Sequence, residues 1–364
     1  MSGGAMSGRE ALLDQGRAVR AEDAFDVDAL VGFLREAAPE LDGTPTVAQF
    51  PGGASNLTYL LRWPDQELVL RRPPRGQRAR GAHDMLREAK VLQALRPVYP
   101  HVPAVVAACE DPAVLGAPFY LMRRIPGMIL RGDLPAGFSL DPAEARALCL
   151  SVLEALLDLH AVDVSAAGLE GLGRGPGYAR RQIDGWSQRY RDAHTEGCAP
   201  FERVMAWLDA RCPEDAGASL IHGDFRFDNV VLDVHPPHPV RGVLDWEMAT
   251  VGCPLMDWGA SLAYWVEAED DLVMHMMRRQ PTHLPGMLRR AEVWALVAER
   301  RGQPIPDTDF YEVYGLFRLA TILQQIWLRF TLGQTRNPAF AAFGDIAVYL
   351  EGRCHGILDR RGEG

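Results

Sequence analysis

Apolar and polar positions along this chain follow two rhythms, and the change from one to the other divides it. Val27, Leu30, Val31 and Leu34 recur at i, i+3, i+4 and i+7, the repeat of one helical face, with Asp26 before them as an N-cap. The runs TVAQF (46–50), LTYLLRW (57–63) and ELVLRR (67–72) then have strand character, the last two separated by a turn at Pro64-Asp65-Gln66. HDMLREAKVLQAL (83–95) puts Met85, Ala89, Leu92 and Leu95 on one helix face. VPAVVAAC and PFYLM predict two more strands, on either side of a turn at Asp111-Pro112. Strands with a helix among them make a small α+β domain.

After Gly127 the rhythm is helical. Asp141-Pro142-Ala143-Glu144 combines an N-cap, a proline at the first helical position and an acid two residues on, so a long helix to about His160 is expected. Further helices are predicted at 176–193, 200–211, 256–278, 286–301 and 309–332, with a strand-loop-strand stretch at 219–245 among them. Residues 1–23, rich in Gly, Ser and charge, read as a flexible leader. The expected organisation is that leader, a lobe over 24–125 and a second lobe over 126–364.

Charge narrows the partners. Lys and Arg number 38 against 48 Asp and Glu, a formal net charge of −10, which argues against nucleic acid as a partner. Six scattered cysteines without a CxxC pair read as reduced thiols of a cytoplasmic protein. No segment approaches the roughly 18 apolar residues of a spanning helix, so no membrane is implicated.

The chemistry concentrates in SLIHGDFRFDNVVLD (219–233) and RGVLDWE (241–247), two apolar strands interrupted by acids. Asp224, Asn229 five residues on, and Asp245 ending a strand offer hard oxygen donors suited to Mg²⁺ and phosphate. His222-Gly223-Asp224, four residues, then Asn229 resembles the catalytic loop of the aminoglycoside phosphotransferases, the small-molecule branch of the protein-kinase-like fold. The resemblance implies an α+β, bilobal architecture with a small antiparallel-sheet N-lobe and a larger, mainly helical C-lobe. It also implies roles: Asp224 orients the acceptor hydroxyl, Asn229 and Asp245 hold metal, and Arg226 stabilises transferred charge. His222 reads better as a loop anchor than as a base, and Asp257 as a buried tie or helix cap.

The likeness extends into the first lobe. Gly52-Gly53-Ala54-Ser55-Asn56 joins two strands where the family cradles phosphates, so Gly53 and Ser55 become nucleotide-binding candidates. Arg71 stands where the family places a phosphate-contacting lysine, and Glu88 where it places that lysine's partner. Arginine there keeps the charge but changes length and shape, which leaves open a nucleotide-binding, pseudokinase-like module without turnover. Arg123 and Ile125, in PFYLMRRIPG, match the hinge whose backbone meets adenine. The implied cofactors are ATP and Mg²⁺, with GTP not distinguished from ATP.

The acceptor is a small molecule. FPGGASNLTYLLR, LRRPPRG, AHDMLRE, GAPFYLM and GYARRQIDGWSQRY resemble the subfamily associated with acyl-CoA dehydrogenases, which implies a hydroxyacyl-CoA or hydroxy-acid acceptor and a functional link to such a dehydrogenase. Arg71, Arg72, Arg75, Arg78 and Arg80 would suit an anionic, CoA-linked group, although charge runs more often form a solvated loop. Glu267, Glu269, Asp270 and Asp271 keep an aminoglycoside-type antibiotic kinase open. Tyr178, Arg181, Gln182, Trp186 and Arg189 recur at helical spacing and either line the acceptor cleft or pack and solvate.

Overall fold

The computed structural model describes residues 12–50, 56–74, 84–335 and 337–362. Helix α1 (Val27–Ala37) is capped as expected, Asp26 accepting from the Ala29 amide, and it buries Leu30 and Leu34. Strands β1 (Thr46–Gln49), β2 (Leu57–Arg62) and β3 (Glu67–Arg72) precede α2 (Met85–Leu95), β4 (Val105–Cys109), the one-turn helix α3 (Pro112–Leu115) and β5 (Phe119–Arg123). The five strands form one antiparallel sheet in the order β1-β2-β3-β5-β4. Strand alternation gives it two apolar faces. Leu68 and Leu70 join the core under α1, while Val69 joins the core shared with α2.

The expected flexible leader is contradicted for the later part of residues 1–23. Arg17 exchanges backbone hydrogen bonds with Gln49 at 2.7 and 2.8 Å, extending the sheet edge. The Asp23 carboxylate accepts from Gln49 Nε2 at 2.8 Å, and the Asp23 carbonyl accepts from the Tyr59 hydroxyl at 2.6 Å. Pairing an edge strand satisfies backbone groups that would otherwise face water.

The second lobe begins with α4 (Pro142–His160), whose N-terminus is the predicted capping box, Asp141 with Glu144. Helices α5 (Tyr178–Asp192) and α6 (Glu202–Arg211) follow, then short strands β6 (Ser219–Ile221), β7 (Val230–Leu232), β8 (Val240–Val243) and β9 (Thr250–Gly252). These pair as β6 with β9 and β7 with β8. Helices α7 (Pro254–Leu262), α8 (Leu272–Met277), α9 (Arg290–Arg301), α10 (Thr308–Thr331) and α11 (Phe343–Arg360) complete the lobe.

The single helix expected over 256–278 is two, α7 and α8. Its acids are occupied with backbone: Asp270 accepts from the Glu267 amide at 2.8 Å, and Asp271 caps α8 by accepting from Val273 and Met274. Side chains that bond nearby amides compete with helix continuation.

The lobes meet where α2 rests on the segment after β8. Arg87 donates to the Glu247 carbonyl at 3.0 Å, and Met128 pairs with Leu232 across the connection. Gly127 is needed there, since a Cβ would lie 2.4 Å from the Leu232 carbonyl oxygen. Among the described residues no helix is long and apolar enough to cross a membrane.

Candidate functional site

The turn after β6 carries the catalytic-loop candidates, and buried contacts fix its shape. Asp257, 2% exposed on α7, accepts from the His222 and Gly223 amides at 3.0 and 2.9 Å and meets His160 Nε2 at 3.0 Å. Burial works against its charge, yet His160 and these donors prevail, holding the Asp257 carboxyl below its usual range. Asp257 is therefore the buried tie to the loop.

His222 is wholly buried. Its Nδ1 accepts from the Asp224 amide at 3.2 Å, which leaves Nε2 as the donor to the Leu244 carbonyl at 2.9 Å. Both ring nitrogens serve the backbone, so His222 anchors the loop. Gly223 turns the chain at φ +81°, and a Cβ there would lie 2.9 Å from the Met248 carbonyl oxygen.

This anchoring sets Asp224 in the wall of a cleft between the lobes, with a volume of about 1130 Å³. Its Oδ2 accepts from Arg226 Nη2 at 3.1 Å and lies 3.3 Å from Asn229 Nδ2, which also donates to the Asp224 carbonyl at 2.8 Å. Arg226 lies over the Tyr264 ring at 4.7 Å. Burial opposes the Arg226 charge, but Asp224 and the other acids around it shift the balance towards the protonated form.

Asp245 follows β8 in the left-handed region, at φ +67°, which turns its carboxylate into the cleft opposite the first lobe. Arg71 reaches it from β3 with Nη2 at 2.8 Å, while Nη1 bonds Glu88 Oε1 at 2.8 Å. That same Glu88 oxygen accepts the Trp246 amide at 3.1 Å. Burial disfavours ionised Asp245, and the Arg71 guanidinium more than offsets this, holding its carboxyl below the ordinary carboxylate range.

Among the described residues no group of three His, Cys, Asp or Glu side chains could enclose a metal ion. Asn229 and Asp245 nevertheless fit magnesium, which takes one or two protein oxygens and completes its shell with phosphate and water. With Asn229 Nδ2 donating to Asp224 and Asp245 Oδ1 held by Arg71, Asn229 Oδ1 and Asp245 Oδ2 are the oxygens outside those contacts.

Asp224, Arg226, Asn229, Asp245, Arg71, Arg123 and Ile125 all line this one cleft, and buried Glu88 stands behind Arg71. Gly53 and Ser55 lie outside the described residues. Arg123 differs from expectation: its backbone N–H is bonded to the Ala104 carbonyl at 2.8 Å and its side chain to Gln66 at 3.1 Å. It ends β5, an interior strand between β3 and β4, and its amide is not free for a base. Ile125, past the end of β5, packs its Cδ1 against Gly242 and borders an apolar slot with Val69, Met122, Val231 and Leu244.

The arginine run divides. Arg72, one residue on from Arg71, points to the other face of the sheet, where it is wholly buried and donates to Leu115 and Asp23 carbonyls at 3.1 and 2.8 Å. It is a strut of the core and cannot belong to an anion patch. Arg75, Arg78 and Arg80 lie outside the described residues.

The acids after Trp265 are engaged away from the cleft. Asp270 pairs with Arg290 and Arg353, Glu267 with Arg290, Glu269 with Arg289, and Asp271 accepts from the Tyr349 hydroxyl. Of the α5 candidates, Trp186 lines the cleft, and Arg181 turns back to the Gly175 carbonyl at 2.7 Å. Sequence reasoning missed Arg318 of α10, which donates to the Gly223 carbonyl at 2.7 Å and lines the same cleft. The signal was a lone arginine inside the apolar run GLFRLATIL (315–323).

The model of the phosphotransferase enzyme family matches residues 46–293. Acyl-CoA dehydrogenase family member 10 of Mus musculus is 34% identical over 334 residues, which covers 91% of this chain and 31% of that protein. Acyl-CoA dehydrogenase family member 11 of Homo sapiens is 32% identical over 335 residues, covering 90% of this chain and 42% of that one. The chain thus spans well under half the length of these curated relatives.

Among solved structures, a Ralstonia eutropha protein provisionally assigned to the aminoglycoside phosphotransferases superposes with a TM-score of 0.77 at 30% identity, covering 93% of this chain and 99% of that one. The aminoglycoside phosphotransferase APH(4)-Ia, in ternary complex with AMP-PNP and hygromycin B, superposes at 0.54 with 17% identity, over 92% and 99% of the two chains, a likeness of fold. The architecture is accordingly the bilobal, kinase-like α+β fold, and the chain belongs to the phosphotransferase enzyme family.

Proposed function

We propose that the chain is an ATP- and magnesium-dependent kinase that moves the γ-phosphoryl group to a hydroxyl of an acyl acceptor, a hydroxy acid or hydroxyacyl-CoA. The observation that carries this reading is the convergence of Asp224, Asn229, Asp245 and Arg71, from separate segments, on one cleft with an apolar far wall. Residues 24–125 serve as the nucleotide lobe and 126–364 as the acceptor lobe. The slot of Val69, Met122, Ile125, Val231 and Leu244 takes the base. Six free cysteines favour a cytoplasmic setting.

Catalysis here is positioning and charge stabilisation. Asp224, held by Asn229 and Arg226, orients the acceptor hydroxyl and takes its proton as the oxygen attacks phosphorus in line with the departing ADP oxygen. Arg226 and Arg71 stabilise charge on the transferred and non-transferred phosphates. Magnesium, held by Asn229 and Asp245, would neutralise phosphate oxygens when bound.

The acceptor assignment is supported by the wall beyond Asp224. Leu319, Ile322, Leu323 and Ile326 of α10 face Phe340 and Phe343 there, a surface suited to an acyl chain. The acids after Trp265, which a polycationic sugar would use, are paired away from the cleft.

ADP formation with hydroxyacyl-CoA esters, free hydroxy acids and kanamycin-like sugars, in wild type and Asp224→Ala, tests the proposal. Acyl-stimulated ADP release lost in the variant is expected. Nucleotide binding without any stimulated turnover would establish the pseudokinase reading, which the Arg71 to Asp245 contact favours.

A further inference from the structure

Arg318 stands in the middle of α10 and is 6% exposed. One guanidinium nitrogen donates to the Gly223 carbonyl, and the guanidinium carbon lies 5.3 Å from the centre of the Trp186 ring. A guanidinium has five N–H donors. Among the described residues no carboxylate forms an ion pair with it.

Other arginines of low exposure are supplied differently. Arg71 has Glu88 and Asp245, and Arg226 has Asp224 and Asp228. Arg72 has two carbonyls and the Tyr59 hydroxyl. Arg318 has neither a carboxylate within ion-pair distance nor the several oxygens of Arg72: it bonds one neutral oxygen and lies over a ring on the wall of an open cleft, and Asp224 acts on its charge only from farther off. Burying a cation this way is costly, and an oxygen-rich group entering the cleft would relieve that cost. Asp224, the acid of the adjacent loop, is already engaged by Arg226 and Asn229.

The residues after Arg318 say what else that group carries. Leu319, Ile322, Leu323 and Ile326 continue down α10 as the apolar wall, about 12 Å from Arg318 to Ile326 at the helical rise. We propose that Arg318 is a specificity-determining residue that binds the carboxyl-derived oxygens of the acceptor, with the carbon chain lying along α10 and the hydroxyl beside Asp224. This rests on reading the cleft as an acyl-acceptor site, and it adds the head-group contact and the orientation.

Calorimetric binding of decanoate and decanol to the full chain tests it, with wild type, Arg318→Met and Arg318→Gln compared and nucleotide binding measured on the same samples. Decanoate should bind wild type roughly 10- to 100-fold more tightly than decanol, the range for a charged hydrogen-bonded contact. Arg318→Met should abolish that preference and leave decanol unchanged. Arg318→Gln, which keeps a donor for Gly223, gives the same answer if the methionine variant does not fold. Equal binding of the two ligands by wild type, binding of neither, or equal weakening of both in the variants overturns the proposal, the last by showing a purely structural tie to Gly223. A decanoate preference in a protein that forms no ADP would leave Arg318 standing and remove the kinase reading alone.

Discussion

Arg71 and Asp245 lie 174 positions apart in the chain, and their side chains meet at 2.8 Å. The contact joins β3 of the first lobe to the end of β8 in the second, with Glu88 of α2 as the third member. Glu88 is 1% exposed, so its charge relies on this partner.

Arg71→Met should therefore cost about 3 kcal/mol or more, the range for removing one member of a buried pair. Arg71→Lys should cost less, because it keeps the cation beside Glu88, but still something, because a single ammonium reaches one acid well and not both. Urea denaturation of the three proteins checks this, and a methionine variant as stable as wild type would remove Arg71 from the lobe contact.

Acid stability follows from Asp257 and Asp245, whose carboxyls burial would raise but whose donors and cations hold low. A carboxyl depressed in the folded state contributes stability that is full above its unfolded value, about 4, and is lost as pH falls through the folded one. Unfolding free energy should be nearly level above about pH 5 on account of these groups and fall below about pH 4. Asp257→Asn should flatten that fall while lowering stability at neutral pH, as read from denaturation series across pH.

Gly223→Ala should destabilise the chain by about 1–3 kcal/mol, since the residue combines a left-handed backbone with a close approach to Met248. Because Asp224 is the next residue, ADP formation should fall by more than the unfolded fraction explains. Activity per folded molecule equal to wild type would detach the loop's shape from turnover.

Ile326→Ala removes apolar surface from the far wall. The acyl-acceptor reading predicts a KM raised roughly tenfold for a long-chain hydroxy acid, with a short-chain homologue little affected, from about 1–2 kcal/mol of lost burial. Equal effects on both chain lengths would place the acyl chain elsewhere.

Much of this molecule was legible in the sequence wherever the physics is local. Asp141 and Glu144 cap α4 as read, and α1, α2 and α10 fall close to their periodic stretches. The spacing His222, Asp224, Asn229 lies within one turn and one 3-10 step, so it survives folding as a unit. Helix α7 and helix α8 were merged because acids that cap and bond amides resemble acids on a solvated face. Arg71 and Arg72 were grouped as one patch, although the two-residue period of a strand separates them.

By itself the sequence determined most element types, the candidate loop from His222 to Asn229 and the family, because capping, periodicity and motif spacing act over a few residues. Only the tertiary structure decided which charges face the cleft. It paired Arg71 with Asp245, took Arg72 into the core, paired the acids after Trp265 away from the cleft, and brought Arg318 to Gly223 from 95 positions away. Which partner a charge finds depends on which surfaces pack together and exclude water, and that is a property of the whole fold.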